Sequence, residues 1–223
     1  MKIMDSVASV SAKGIHCLAI RVDGSLWVWG SNHNGRLGTG TADGMAAPVS
    51  LEVPSGWSEG QVNAAIESKL VPQELQARYS QPIAREEFAA LAVALYEKAN
   101  GEILARSTFA DTLNPNVEKA AAIGVVEGVG GNRFDPKAHL TREQAAVMLS
   151  RLAGALGMPL AAQAPSFADN EVISSWAFGY VGQAQAAKIM GGTGGNAFSP
   201  KSAYTIEQSI VTILRLYELT GRS

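Results

Sequence analysis

The sequence predicts a mainly α protein built of three helical repeats, with a small antiparallel β unit at its N-terminus. Three observations predict it. Apolar residues alternate at period two as far as Trp29, then take a helical period beyond Ser58. The stretch Asn132 to Gln144, Asn-Arg-Phe-Asp-Pro-Lys-Ala-His-Leu-Thr-Arg-Glu-Gln, returns as Asn196 to Gln208, keeping the Asn, the Phe, the Pro-Lys pair, the Thr and the Glu-Gln in place. A fainter copy lies upstream, with Tyr79 in place of the Phe and Ile83-Ala84-Arg85-Glu86-Glu87-Phe88 at the helix start. Three copies make a repeat protein.

In chain order, residues 7–12 and 16–22 alternate as strands, and Asp23-Gly24 leads into a third run, Ser25 to Trp29. Asp-Gly between alternating runs is a strong hairpin signal. Gly30-Ser31-Asn32 and Gly35 to Thr41 read as a glycine-rich turn, and Pro48 to Gly56 as a linker. A helix then follows Trp57 with Val62, Ala65, Ile66 and Leu70 inward, and a second runs from Arg85 to Lys98. The plan recurs: Phe109-Ala110-Asp111, a short helix over 117–126, a glycine turn at 128–131 and a long helix over 141–156. It recurs once more as Phe167-Ala168-Asp169, a helix over 176–189, glycines at 191–195 and a helix over 205–219. The predicted units are a β repeat over 1–50, a linker over 51–56, and helical repeats over 57–108, 109–166 and 167–223.

The helix starts have a physical signature. Thr141 and Thr205 stand as N-caps with Gln144 and Gln208 three residues later, the capping-box spacing, and Pro136 and Pro200 stop any helix before them. Arg142 and Arg85 then oppose the helix dipole, at a cost of about 0.3–1 kcal/mol each. Two readings remove that objection: a bound carboxylate or phosphate on the helix N-terminus, or a neighbouring Asp or Glu.

Composition limits the chemistry. A net charge of −2 excludes the strong basic excess of a nucleic-acid binder. The single Cys17 excludes an intrachain disulfide and a Cys-rich metal site. His16, His33 and His139 are widely separated, and neither a His-Glu-x-x-His pair nor a Gly-x-Ser-x-Gly elbow occurs. The loop from Gly191 to Gly195 lacks the Gly-Lys-Ser/Thr of a phosphate loop. No enzyme activity, cofactor or metal is therefore expected. No apolar run approaches the roughly 20 residues of a membrane span. Met1-Lys2-Ile3-Met4-Asp5-Ser6 meets charge where an export signal would be apolar, so a secreted form is expected to be a fragment or a processed chain.

Two resemblances follow from these residues. His16 to Ala19, Asp23-Gly24-Ser25-Leu26-Trp27, Trp29-Gly30-Ser31-Asn32 and Gly35-Arg36-Leu37-Gly38 resemble one repeat of the regulator of chromosome condensation family, whose members are seven-bladed β-propellers. One blade cannot close a propeller, so the unit reads as the last repeat of a truncated array or a remnant packed on its neighbour. The Phe-Ala-Asp openings, Trp57 and Trp176, the glycine turns, Phe134-Asp135-Pro136, Phe198-Ser199-Pro200 and the helix starts resemble the S-layer homology family in three copies. That resemblance implies a pseudo-threefold domain, with long helices in a central bundle and short helices as prongs. Its grooves would hold a pyruvylated secondary cell-wall polysaccharide, making a non-covalent anchor at a bacterial surface.

A carboxylate-bearing sugar calls for a charge-assisted donor, N–H groups and an apolar wall. The expected contacts are Arg142 and Arg85 for the anion, Trp57 and Trp176 for the sugar face, Asp111 and Asp169 for hydroxyls, and Gly128, Gly130, Gly192 and Gly194 for close backbone approach. Structural readings stand beside these: tryptophans as core plugs, aspartates as caps or ion-pair partners, glycines for turn geometry. Ile206 occupies the position of Arg142 in the third copy, so little is expected of that site. Two other functions remain open, a protein–protein scaffold with degenerate repeats and an accessory region of a larger surface enzyme.

Overall fold

The computed structural model describes residues 2–22, 25–39 and 43–221. The N-terminal unit is a four-stranded antiparallel meander, β1 (Val7–Lys13), β2 (His16–Arg21), β3 (Leu26–Gly30) and β4 (Met45–Leu51), paired in chain order. Lys13 pairs with His16 across a two-residue turn whose Gly14 has a φ of +69°, the left-handed value such turns need. Asp23-Gly24 and residues 40–41 of the glycine-rich turn lie outside the described residues, and Arg21 N–H donates to Ser25 across the second hairpin at 3.0 Å. Gly30 is required, because a Cβ there would sit 2.3 Å from the Ile15 carbonyl oxygen. Asn32, buried, holds the following loop by accepting from Leu37 N–H at 2.7 Å and donating to Thr39 Oγ1 at 3.0 Å.

Strand β4 was hidden in the sequence by Pro48. It is an edge strand paired only with β3, where a missing N–H costs no ladder bond. The stretch beyond it is not a free linker. Glu52 accepts from Ser80 N–H at 3.2 Å and Ser80 Oγ at 2.9 Å, and Ser55 donates through both N–H and Oγ to Glu207.

Among the described residues six α-helices follow: α1 (Glu59–Glu67), α2 (Arg85–Asn100), α3 (Pro115–Ala122), α4 (Arg142–Ala155), α5 (Ser175–Ala186) and α6 (Ile206–Leu219). The expectation of a mainly α chain is corrected: with a four-stranded sheet and six helices the fold is a mixture of α and β. The fourth strand adds β structure, α1 and α3 are only nine and eight residues long, and the segments between helices are turns joined by isolated bridges such as Pro82 with Thr205.

One three-way exchange organises the helical body. Leu140 N–H donates to the Ile83 carbonyl at 3.1 Å, Tyr204 to Leu140 at 2.9 Å, and Ile83 to Tyr204 at 2.8 Å, closing a ring just before α4, α6 and α2. A second ring runs from Glu86 to Pro136, Glu143 to Pro200, and Glu207 to Tyr79. Tyr79 therefore corresponds to Pro136 and Pro200, whereas the sequence pattern had matched it to Phe134; the buried Ala77 holds the phenylalanine position. Each short helix packs on the long helix of the preceding repeat, α3 on α2, α5 on α4, and α1 on α6 to close the circle. Phe88, Phe134, Phe198, Tyr204, Leu91, Leu149 and Ile210 fill the single core between them.

The helix starts follow the capping boxes. Thr141 and Thr205 each accept from the third residue's N–H, and Gln144 and Gln208 reach back to the cap N–H groups. At α2 only half the box exists: Glu87 accepts from Ala84 N–H at 2.8 Å, and Ala84 has no hydroxyl to return the bond. Its backbone (φ −78°, ψ 156°) matches that of Thr141 (φ −85°, ψ 161°). Ala84→Thr is expected to stabilise the protein by about 1 kcal/mol, raising Tm by about 2–4 °C in a thermal melt.

Candidate functional site

Arg142 and Arg85 open α4 and α2, and both reach across to the next repeat. Arg142, 5% exposed, donates through Nε to the Phe198 carbonyl at 2.8 Å, through Nη2 to the Gly191 carbonyl at 2.6 Å and through Nη1 to Gln208 at 3.4 Å. Arg85, 8% exposed, repeats this on the Phe134 carbonyl at 2.9 Å and the Glu127 carbonyl at 2.7 Å. Each guanidinium also lies over the phenylalanine ring, at 4.9 Å for Phe198 and 4.4 Å for Phe134. The dipole conflict is thus relieved by carbonyl oxygens and a ring face rather than by a carboxylate side chain. Burial pushes both guanidinium pKa values down, and Asp111 and Asp135 near Arg85, and Tyr204 and Asp169 near Arg142, push them back in part.

The same arginines line two grooves, each assembled from all three repeats. The larger, about 460 Å³, has Trp57 from the first repeat, Arg142 from the second, and the Gly191–Thr193 loop with Gln208, Val211, Thr212 and Arg215 from the third. The smaller, about 200 Å³, has Arg85 from the first, the Glu127–Val129 loop with Gln144, Val147, Met148 and Arg151 from the second, and Trp176 from the third. The two sets correspond position by position, 64 residues apart for the loop and helix residues. Trp57 and Trp176, 55% and 53% exposed, are groove walls and not core plugs. In the remaining position Ile206 stands for the arginine, Asn116 for the tryptophan, Ala94 for Arg151 and, counted from the matching helix ends at Leu70 and Val125, Gln73 for Gly128, so the cation, the aromatic wall and the glycine are replaced together.

Gly128 and Gly192 line the grooves and are sterically required, since a Cβ on either would lie 2.7 Å from a carbonyl oxygen across the turn. Gly130 and Gly194 have φ of +106° and +135° and open space around them, which assigns them to turn geometry. Asp111 and Asp169 are not among the groove-lining residues. Each clasps the loop behind a groove: Asp111 accepts from Phe134 and Asp135 N–H at 2.8 and 2.9 Å, Asp169 from Phe198 and Ser199 N–H at 2.7 and 2.8 Å.

The Phe134 N–H, with that of Asp135 and the Arg133 charge, holds the Asp111 pKa below the usual carboxylate value. At Asp169 burial pushes up, but the Phe198 and Ser199 N–H groups and Arg142 prevail and the net shift is down. A folded-state pKa below the unfolded one contributes stability at neutral pH that is lost as pH falls below about 4. Asp169→Asn is expected to lower Tm by a few degrees at pH 7 and to flatten the acid limb of a Tm-against-pH curve; an unchanged limb would exclude this clasp as its source.

Sequence reasoning missed Arg151, Arg215, Gln144 and Gln208. Their signal was present: Gln144, Val147, Met148 and Arg151 recur at i, i+3, i+4 and i+7 on one helix face, and Gln208, Val211, Thr212 and Arg215 repeat it. No helix among the described residues is long and apolar enough to cross a membrane, and no group of His, Cys, Asp or Glu among them is arranged to hold a metal.

Comparison with known proteins bears on both halves. The S-layer homology domain family matches residues 111–146 and 168–204, the second and third helical repeats. Two forms of the regulator of chromosome condensation (RCC1) repeat match residues 7–36 and 23–64. The latter match runs into α1, which packs on α6 in the helical body. The chain is 27% identical over 210 residues to Exoglucanase XynX of Acetivibrio thermocellus, covering 87% of this chain and 19% of that protein. It thus spans about a fifth of the relative's length.

Proposed function

The chain carries S-layer homology repeats behind a regulator of chromosome condensation repeat, and from that premise we propose a cell-surface anchor that binds an anionic, pyruvylated secondary cell-wall polysaccharide without covalent attachment. S-layer homology repeats mark a bacterial cell-surface location and anchoring role. The proposed domain division is a β repeat at the N-terminus and three helical repeats from residue 57 onward.

The observation that carries the reading is the recurrence of one groove at two places, each with an exposed tryptophan, an arginine and a glycine loop drawn from three different repeats. A half-exposed aromatic ring beside a cation suits the apolar face and the charge of an acidic sugar. The module is non-catalytic in this proposal, as both matched repeat families are; any activity of a longer protein would reside in other sequence. Co-sedimentation with peptidoglycan sacculi tests it. Retention on untreated walls, with loss after acid removal of the secondary polymer, is the expected result; equal retention on both favours a protein scaffold.

A further inference from the structure

The two grooves differ at the lip and at the floor. In the larger groove Thr193 at the lip pairs with the Ser199 hydroxyl at 2.7 Å, and Thr212 at the floor meets the Tyr204 hydroxyl at 2.5 Å. In the smaller groove the corresponding residues are apolar, Val129 at the lip, 60% exposed, and Met148 at the floor, and the buried Leu140 takes the place of Tyr204 without lining the groove. Replacing Thr212 by the longer Met148 also fills space, in line with about 200 Å³ against about 460 Å³.

The second arginines differ as well. Arg151 is paired with the Glu127 carboxylate at 2.9 Å, whereas among the described residues Arg215 donates only to neutral acceptors, Gln61 Oε1 at 3.0 Å and the Ile189 carbonyl at 3.3 Å. Gly191 stands where Glu127 would be, so the larger groove has no carboxylate on that loop. Its one acid, Glu207, is 5% exposed and already accepts from Ser55 and Ser58. An anion entering the larger groove meets an arginine without a carboxylate partner; one entering the smaller must displace Glu127.

We infer that the grooves read different units of the polymer: the larger takes the acidic sugar, and the smaller takes a neutral sugar that presents a methyl group, as an N-acetyl or a deoxy sugar does. This rests on the glycan-binding reading and divides its labour. Val129, Met148 and Trp176 give the smaller groove an apolar lining for such a substituent, whereas the larger has the hydroxyls of Thr193 and Thr212 in place of Val129 and Met148, with Arg215 as its cation.

Single-groove proteins test it. Trp176→Ala leaves the larger groove and Trp57→Ala the smaller, and both side chains are exposed enough for the fold to survive. Each is titrated by calorimetry with purified wall polysaccharide, native and with its carboxylates reduced to alcohols. Carboxyl reduction is expected to weaken the Trp176→Ala protein about tenfold or more and the Trp57→Ala protein less than about threefold. Equal weakening of both, stronger weakening of the Trp57→Ala protein, or a Trp57→Ala protein that binds neither form overturns the inference. Failure of the unaltered chain to bind either polymer overturns the glycan-binding reading itself, and the division with it.

Discussion

Trp57→Ala combined with Trp176→Ala abolishes retention on cell-wall sacculi and leaves Tm within about 1–2 °C of the parent. The two rings are half-exposed, and neither lies in the core cluster, so removing them creates no cavity. Buried-on-binding tryptophans are among the most costly contacts to truncate, at about 2 kcal/mol or more each, or over tenfold in Kd. Each single variant retains one groove. Polymer binding then falls by more than the loss of one site, because the second attachment to the same chain is no longer intramolecular. Measurement of Tm and sacculus binding on the same samples separates recognition from folding.

Arg142→Ala has the opposite signature. It is expected to destabilise the fold by about 3 kcal/mol, since charge-assisted bonds to the Phe198 and Gly191 carbonyls are lost and the buried Phe198 oxygen is left without that partner. Urea titration is the readout, with Arg85→Ala giving a similar loss through Phe134 and Glu127. Arg142→Lys restores little, because an ammonium does not reproduce the planar fork that spans both carbonyls and stacks on the Phe198 ring. A loss of wall binding in Arg142→Ala thus reports on both folding and recognition, which makes the tryptophans the sharper probe. Unchanged stability in Arg142→Ala would contradict the clamp.

Local physics was legible in the sequence and distant geometry was not. The capping boxes at Thr141 and Thr205 and the period of each long helix are short-range signals, and those elements lie where they were read. Arg142 and Arg85 were recognisably out of place against the helix dipole. Their partners, however, are backbone carbonyls of another repeat, which carry no residue-type signature. Tyr79 was paired with Phe134 because both are aromatic; the hydrogen-bond ring pairs it with Pro136 instead, and only the fold reveals that register. Asp111 and Asp169 were visible as recurring acids, but their role in clasping the following loop depends on a turn that closes more than twenty residues later. The grooves were the least legible feature, since each draws on three repeats and its second arginine, Arg215 or Arg151, lies on a different helix from its motif arginine, Arg142 or Arg85.

The replacement of arginine, tryptophan and glycine at one of three equivalent positions leaves two working grooves. Calorimetric titration of the intact chain with a short fragment of the wall polysaccharide, one repeating unit long, measures that number directly. With two working grooves the stoichiometry is two fragments per chain; three fragments, one, or none would show that a different number of grooves works.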